Sequence, residues 1–297
     1  MSDGATGEGE LGGAPRGRVH LADGVEVART LADESVDLVY LDPPFNTGRR
    51  QTHEQLRTRQ AGDGEGDRTG FGGRRYSTER IGSRSFDDAY DDYLAFLEPF
   101  LVESHRVLAE TGSLYLHLDY REVHYAKVLL DEIFGRDHFV NEIIWAYDYG
   151  ARPKRRWPAK HDNILFYAKD AARNAFNAND IERIPYMAPG LVGPEKAARG
   201  KLPTDTWWHT IVSPTGREKL GYPTQKPLGI LERIIRASSP PGGVVADFVA
   251  GSGTTGEAAL RHGRRFVLAD CSPEAFEVMR RRFAECDGVA FCEGVEG

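Results

Sequence analysis

The chain has 297 residues, of which 40% are hydrophobic, 28% charged and 10% aromatic, and its formal net charge is −7. These are globular values, so collagen-like, wholly disordered and disulfide-scaffold readings fall away, and no run approaches the ~18 apolar residues of a membrane span. Cys271, Cys286 and Cys292 are odd in number and lack a CxxC spacing, which speaks for reduced thiols; with a Gly-rich, acidic start that has no leader pattern, the chain reads as cytoplasmic, without a membrane partner.

Residues 1–17 lack an apolar period and read as a disordered tail. Order begins with a short strand at 18–23, a helix at 25–31 and a buried strand at 36–41 that ends in Asp42-Pro43-Pro44-Phe45. The stretch 46–85 is rich in Gly, Arg and polar residues and reads as a mobile basic loop, too long for a simple connector. Helical spacing returns at 93–108, capped by Gly112, followed by a strand at 113–118, a helix at 123–134, and strands at 143–145 and 163–167. Residues 169–206 lose regularity among prolines and glycines and read as an insertion. Beyond it come a helix at 227–238 with Pro227 in its first turn, a strand at 244–249, a helix at 254–261, a strand at 265–269 and a helix at 273–284, leaving 285–297 as a tail. Strands alternating with helices predict a doubly wound, mainly parallel α/β sheet of Rossmann-like type in one domain, 18–284.

The overall acidity hides two basic segments. Nine arginines lie between Arg49 and Arg84 against five acids; Arg49, Arg50, Arg74 and Arg75 stand out there. Arg152, Lys154, Arg155, Arg156 and Lys160 form the second. Both are candidates for contacts with nucleic-acid phosphates. Trp145, Trp157, Trp207 and Trp208 could stack on bases or wedge between them, with at least half expected in the core.

Gly251-Ser-Gly253-Thr-Thr-Gly256 follows an expected strand and opens a helix, and Asp270 ends the next strand. Glycines there let backbone N–H groups approach a ligand, while the spaced acid can take both ribose hydroxyls. That pattern points to an adenosine-bearing ligand and leaves a nicotinamide dinucleotide open. Asp42-Pro43-Pro44-Phe45 answers a different need. A carboxylate and the Pro43 carbonyl can accept the two hydrogens of an exocyclic amine, turning its lone pair toward an electrophile, while Phe45 stacks on the base. His117 and Asp119 end a strand and could line the same pocket. His161-Asp162 has no nucleophile to activate, and no HxxxH or HExxH helix supports a metal site.

On Asp42-Pro-Pro-Phe45 with its Asn46-Thr47-Gly48 extension, Tyr222-Pro-Thr-Gln-Lys-Pro227 and Ala250-Gly-Ser-Gly-Thr-Thr255, the chain resembles the β group of S-adenosyl-methionine-dependent DNA amino-methyltransferases. The order, catalytic motif first and cofactor motif last, is that family's circular permutation. The resemblance implies catalytic roles for Asp42, Pro43, Pro44 and Phe45, and donor contacts from Asp23, Thr224, Gln225, Lys226, Phe248, Ala250, Gly251, Ser252, Gly253, Thr254, Thr255 and Asp270. Val249 stands where the family has Phe, with Phe248 one place earlier. It further implies double-stranded DNA as partner, base flipping, target recognition by 169–206, and attack without a covalent enzyme intermediate. An Asp opening the catalytic motif favours adenine N6 over cytosine N4. A restriction endonuclease partner and a homodimer stay open.

Overall fold

The structure is a computed structural model and describes residues 15–60, 68–69, 75–88, 90, 92–148, 153–213 and 216–295. In chain order the elements are β1 (Gly17–Leu21), α1 (Gly24–Thr30), β2 (Val36–Leu41), β3 (Arg49–Gln60), β4 (Arg68–Thr69), β5 (Arg75–Asp88), α2 (Tyr93–Val107), β6 (Leu108–Leu118) and α3 (Val123–Phe134). Then come β7 (Phe139–Ala146), β8 (His161–Ala168), α4 (Pro194–Arg199), β9 (Thr206–Trp208), α5 (Leu228–Ser238), β10 (Val244–Asp247), α6 (Thr254–Arg261), β11 (Arg265–Asp270), α7 (Pro273–Arg282) and β12 (Val289–Glu293).

Nine strands form one sheet in the order β12-β1-β11-β10-β2-β6-β8-β7-β9. The pairs from β12 to β6 are all parallel, β8 runs antiparallel to β6 and β7, and β9 is parallel to β7. Side chains of each central strand alternate between two cores. Leu38, Tyr40, Tyr115 and Val245 face α5, α6 and α7, whereas Val39, Leu41, Leu114, Leu116 and Ala246 face α1, α2 and α3. A strand buried on both faces is apolar along its buried length, which is why Leu38–Leu41 of β2 and Leu114–Leu116 of β6 read as short continuous apolar runs.

Three expectations are corrected. Residues 46–85 are not a featureless loop: β3 and β5 pair antiparallel from Arg49 opposite Asp88 to Gln60 opposite Tyr76, with β4 beside β5. Their Thr, Tyr, Ile and Phe residues favour strands, but without apolar alternation they leave no hydrophobic period to detect. Gly112 does not cap α2, which ends at Val107; it lies within β6, where a Cβ would come within 2.9 Å of the Ala109 carbonyl oxygen. The tail at 285–297 contains β12, parallel to β1 from Val289 opposite Gly17, with Phe291 edge-on to Phe276 at 5.8 Å. Five residues were too few to declare a period. The segment 169–206 holds only α4 and a short 3-10 turn as regular helix, tied by backbone hydrogen bonds between Ile184 and Lys201. Residues 1–14 of the expected tail lie outside the described residues. No helix among the described residues is long and apolar enough to cross a membrane.

Candidate active site

Four strand ends meet at one edge of the sheet. β10 and β2 are adjacent and parallel, with Ala246 opposite Val39, so the glycine turn after β10 and Asp42-Pro43-Pro44-Phe45 after β2 leave the sheet side by side. β11 beside β10 brings Asp270, and β1, with Leu21 opposite Asp270, brings Asp23. The chain winds outward in both directions from β10 and β2, which makes this the switch point where open α/β sheets bind ligands.

On the β10 side, Gly251 and Gly253 have φ of +51° and +74°, a backbone that side chains disfavour. A Cβ on Gly251 would stand 2.9 Å from the Tyr222 ring, and one on Gly253 would stand 2.7 Å from Met279 Cγ. Asp270 accepts hydrogen bonds from the N–H of Gly251 and of Ser272, each at 2.8 Å. Burial still pushes its carboxyl up against those two bonds, so hydroxyl donors from a ligand would stabilise its charged form. Asp247 lies beneath the turn. It accepts from Thr255 Oγ1 at 2.6 Å and Val249 N–H at 3.1 Å, and burial pushes it up to about 7 against those bonds, with the charges of Asp42 and Asp270 adding to the rise. Ser252 and Thr254 share a hydroxyl hydrogen bond at 3.0 Å, and Arg282 donates to the Ser252 carbonyl at 2.6 Å. This cradle, with an acid set to take paired hydroxyls, fits an adenosyl group.

On the β2 side, Asp42 Oδ2 meets Lys226 Nζ at 2.8 Å, while Oδ1 is buried with no hydrogen-bond partner among the described residues. The same Nζ stands 4.7 Å from the centre of the Phe45 ring. Tyr93 donates to the Pro44 carbonyl at 2.7 Å, and Asn46, at φ +50°, bridges Glu122 and the Tyr90 N–H. These bonds pin the motif at its exit from the strand. Behind Phe45 lies His117, ring centres 5.9 Å apart. His117 is wholly buried, joined to Tyr40 Oη through Nδ1 at 2.7 Å and to Asp162 through Nε2 at 3.2 Å, and Tyr147 donates to Asp162 at 3.0 Å. Burial pushes the Asp162 carboxyl up, yet the His117 hydrogen bond and charge, then Lys226 and Tyr147, outweigh it and hold the group below the usual carboxylate range. A 220 Å³ cavity opens here, walled by Trp145, Tyr147, Asp162, Tyr222, Thr224 and Lys226 among others.

The structure thus gathers Asp42, Phe45, Lys226, Gly251, Ser252, Gly253 and Asp270 at one edge. Other expected ligands take internal duties. Phe248 is a correction: its ring is wholly buried in the core with Val25, Leu97 and Phe100, because the residue after β10 keeps the strand's inward alternation. Gln225 spends its amide closing its own loop, accepting from Leu220 N–H and donating to the Glu218 carbonyl. Asp23 caps α1 through the N–H groups of Val25 and Glu26. Asp119 pairs with Arg121, and its charge adds to the burial and the Asp162 contact that push the Tyr147 hydroxyl up. Sequence reasoning missed Asp247, Tyr147 and the Asp162–His117 pair; the acids at the end of β10 and near the start of β8 were the available signals.

Lys154, Arg155 and Arg156 are exposed on the loop from β7 to β8, whose base is closed by the Tyr147 N–H to Lys160 carbonyl bond at 3.0 Å. Trp157, on the same loop, is 95% exposed and Trp208 77%, whereas Trp145 and Trp207 are buried. Arg49, Arg50 and Arg75 lie on β3 and β5. Arg74 and Arg152 fall outside the described residues.

A family described as DNA methylase matches residues 36–281. The chain is 26% identical over 265 residues to the type II methyltransferase M.HpaI of Haemophilus parainfluenzae, covering 89% of this chain and 73% of that protein. It is 28% identical over 268 residues to the DNA adenine methyltransferase YhdJ of Escherichia coli K12, covering 88% and 80%. Its fold is similar to that of the M1.HpyAVI–SAM complex, with a TM-score of 0.56 at 21% identity over 90% of this chain and 98% of that one.

Proposed function

The chain belongs to the DNA methylase family, and from that premise we propose that it methylates adenine N6 in duplex DNA with Asp42, Pro43, Pro44 and Phe45 receiving the flipped base. Amino-methylation of DNA with S-adenosyl-methionine is the activity of the family, which sets aside the dinucleotide reading. One observation carries the assignment of roles: the acceptor motif and the glycine turn leave adjacent parallel strands, β2 and β10, at the sheet's switch point.

When bound, S-adenosyl-methionine supplies a methyl group on a sulfonium, so the amino lone pair forms the N–C bond as the C–S pair returns to sulfur. Asp42 Oδ1, buried and without a partner among the described residues, accepts one amino hydrogen and so directs the lone pair outward. The nitrogen sheds one proton after transfer, and Asp42 is placed to take it and pass it to water. Phe45 offers its ring face to the base, with His117 behind it. Asp270 and the close-approaching backbone of Gly251 and Gly253 hold the donor.

Extruding a base costs a few kcal/mol, which phosphate contacts from Lys154, Arg155, Arg156 and Lys160 and from the β3–β5 segment offset. Recognition falls to 169–206. A restriction endonuclease partner belongs to the same proposal, supported by the name of the type II relative. Asp at position 42 and the adenine relative both favour adenine N6. Incubating the protein with labelled donor and unmethylated genomic DNA, then digesting and identifying the nucleoside, tests it: N6-methyladenine is expected, and N4-methylcytosine alone would overturn the base while leaving the mechanism.

A further inference from the structure

Lys226 was expected to hold the donor, yet its ammonium turns the other way. Its contacts are Asp42 Oδ2 at 2.8 Å and the Phe45 ring at 4.7 Å, the two groups assigned to the target base. An N–H donor on that carboxylate, standing over that aromatic face, has the chemistry of the exocyclic amine itself. The side chain is 12% exposed and that of Asp42 15%, so the pair is shielded from water, where charge-assisted bonds are strong. Asp42 is divided by this contact: one oxygen is occupied and the other has no partner among the described residues.

We propose that Lys226 is a positioning residue of methyl transfer and not a donor ligand: it fixes Asp42 through Oδ2, leaves Oδ1 for the target amino group, and stands in the base's place over Phe45 until the base arrives. This rests on the methyl-transfer reading of the site. A base stacking on Phe45 needs the ring face, so the ammonium has to slide off it. The four-carbon stem lets Nζ tilt off the ring while it stays on Asp42 Oδ2, toward the cavity that Lys226 and Asp162 both wall. Asp162 is held in turn by His117 and Tyr147, which fixes a carboxylate on that side of the cavity. No covalent bond to Lys226 forms or breaks.

The test separates donor binding from turnover in Lys226→Met. Wild-type turnover on unmethylated genomic DNA with labelled donor comes first, and its absence would sink the methyl-transfer reading before any variant is made. Given turnover, the donor's demethylated product is titrated calorimetrically into both proteins. The expected result is product affinity within about threefold of wild type with kcat at saturating donor lowered by about 30-fold or more, and Lys226→Arg, which can keep the ion pair, recovering part of kcat. A loss of product affinity of about tenfold or more, an unchanged kcat, or an Arg variant no better than Met each overturns the proposal. If the Met protein loses its cooperative thermal melt, Lys226→Gln is read by the same criteria.

Discussion

Two aspartates stand at strand ends on either side of β10, and their surroundings differ. Asp270 has both carboxylate oxygens on backbone N–H groups of the turns it supports. Asp42 has one oxygen on a flexible lysine and the other on nothing among the described residues. Backbone donors cannot leave without unfolding the turn, whereas a lysine can swing. The donor half is therefore built before its ligand arrives, and the acceptor half is held in a provisional state. That division suits an enzyme whose donor is a small molecule of fixed shape and whose other substrate must be pulled out of a duplex.

The sharpest way to break the comparison is Asp42→Ala. Turnover should fall by about a thousandfold or more, while affinity for the donor stays within about threefold. Loss of donor binding with turnover intact would show the two halves to be misassigned.

Asp247 tests the donor half through stability. Its folded pKa is raised to about 7 by burial, so the folded state keeps a proton that the unfolded state has already released. The stability from this group is full at low pH, declines as pH rises from about 4 toward 7, and levels off above. Asp247→Asn cannot pay that penalty, yet its amide can still accept from Val249 N–H and donate to Thr255. The variant should match wild type near pH 4 and exceed it above pH 7 by up to about 4 kcal/mol, seen in denaturant melts across that range. An offset that does not change with pH would mean that Asp247 is not the titrating group.

Asp270→Ala should weaken donor affinity by ~1–3 kcal/mol through lost charge-assisted hydrogen bonds, with kcat at saturating donor little altered. Calorimetry that finds unchanged affinity would place the ribose-binding acid elsewhere.

The central sheet and both motifs were legible because each rests on a local rule. β2 declares itself by the apolar run from Leu38 to Leu41, and Gly251 and Gly253 by a turn that needs positive φ. What joins them was not legible. Lys226 lies far along the chain from Asp42, Asp162 is far from His117, and no spacing announces contacts made through sheet order. The β3–β5 pairing was hidden for another reason, since two polar segments without apolar alternation carry no period. β12 was lost to its brevity.

The smallest effect concerns the exposed side of the molecule, where the contrast with Asp42 and Asp270 is greatest. Lys154, Arg155 and Arg156 precede a tryptophan that is 95% exposed, on a loop rooted at Tyr147 and Lys160, next to residues that wall the cavity. Charges in water add little to folding stability, so their replacement by Gln should leave the thermal melt unchanged. Their expected work is on phosphates, where each contact releases a counterion. The triple variant should therefore bind all DNA sequences more weakly by the same factor and flatten the dependence of log K on log salt by up to about three contacts. Binding isotherms at several salt concentrations measure the slope directly. A loss confined to one sequence would make the loop a reader of bases, and an unchanged slope would take it off the DNA altogether, leaving the buried acceptor and donor halves as they are.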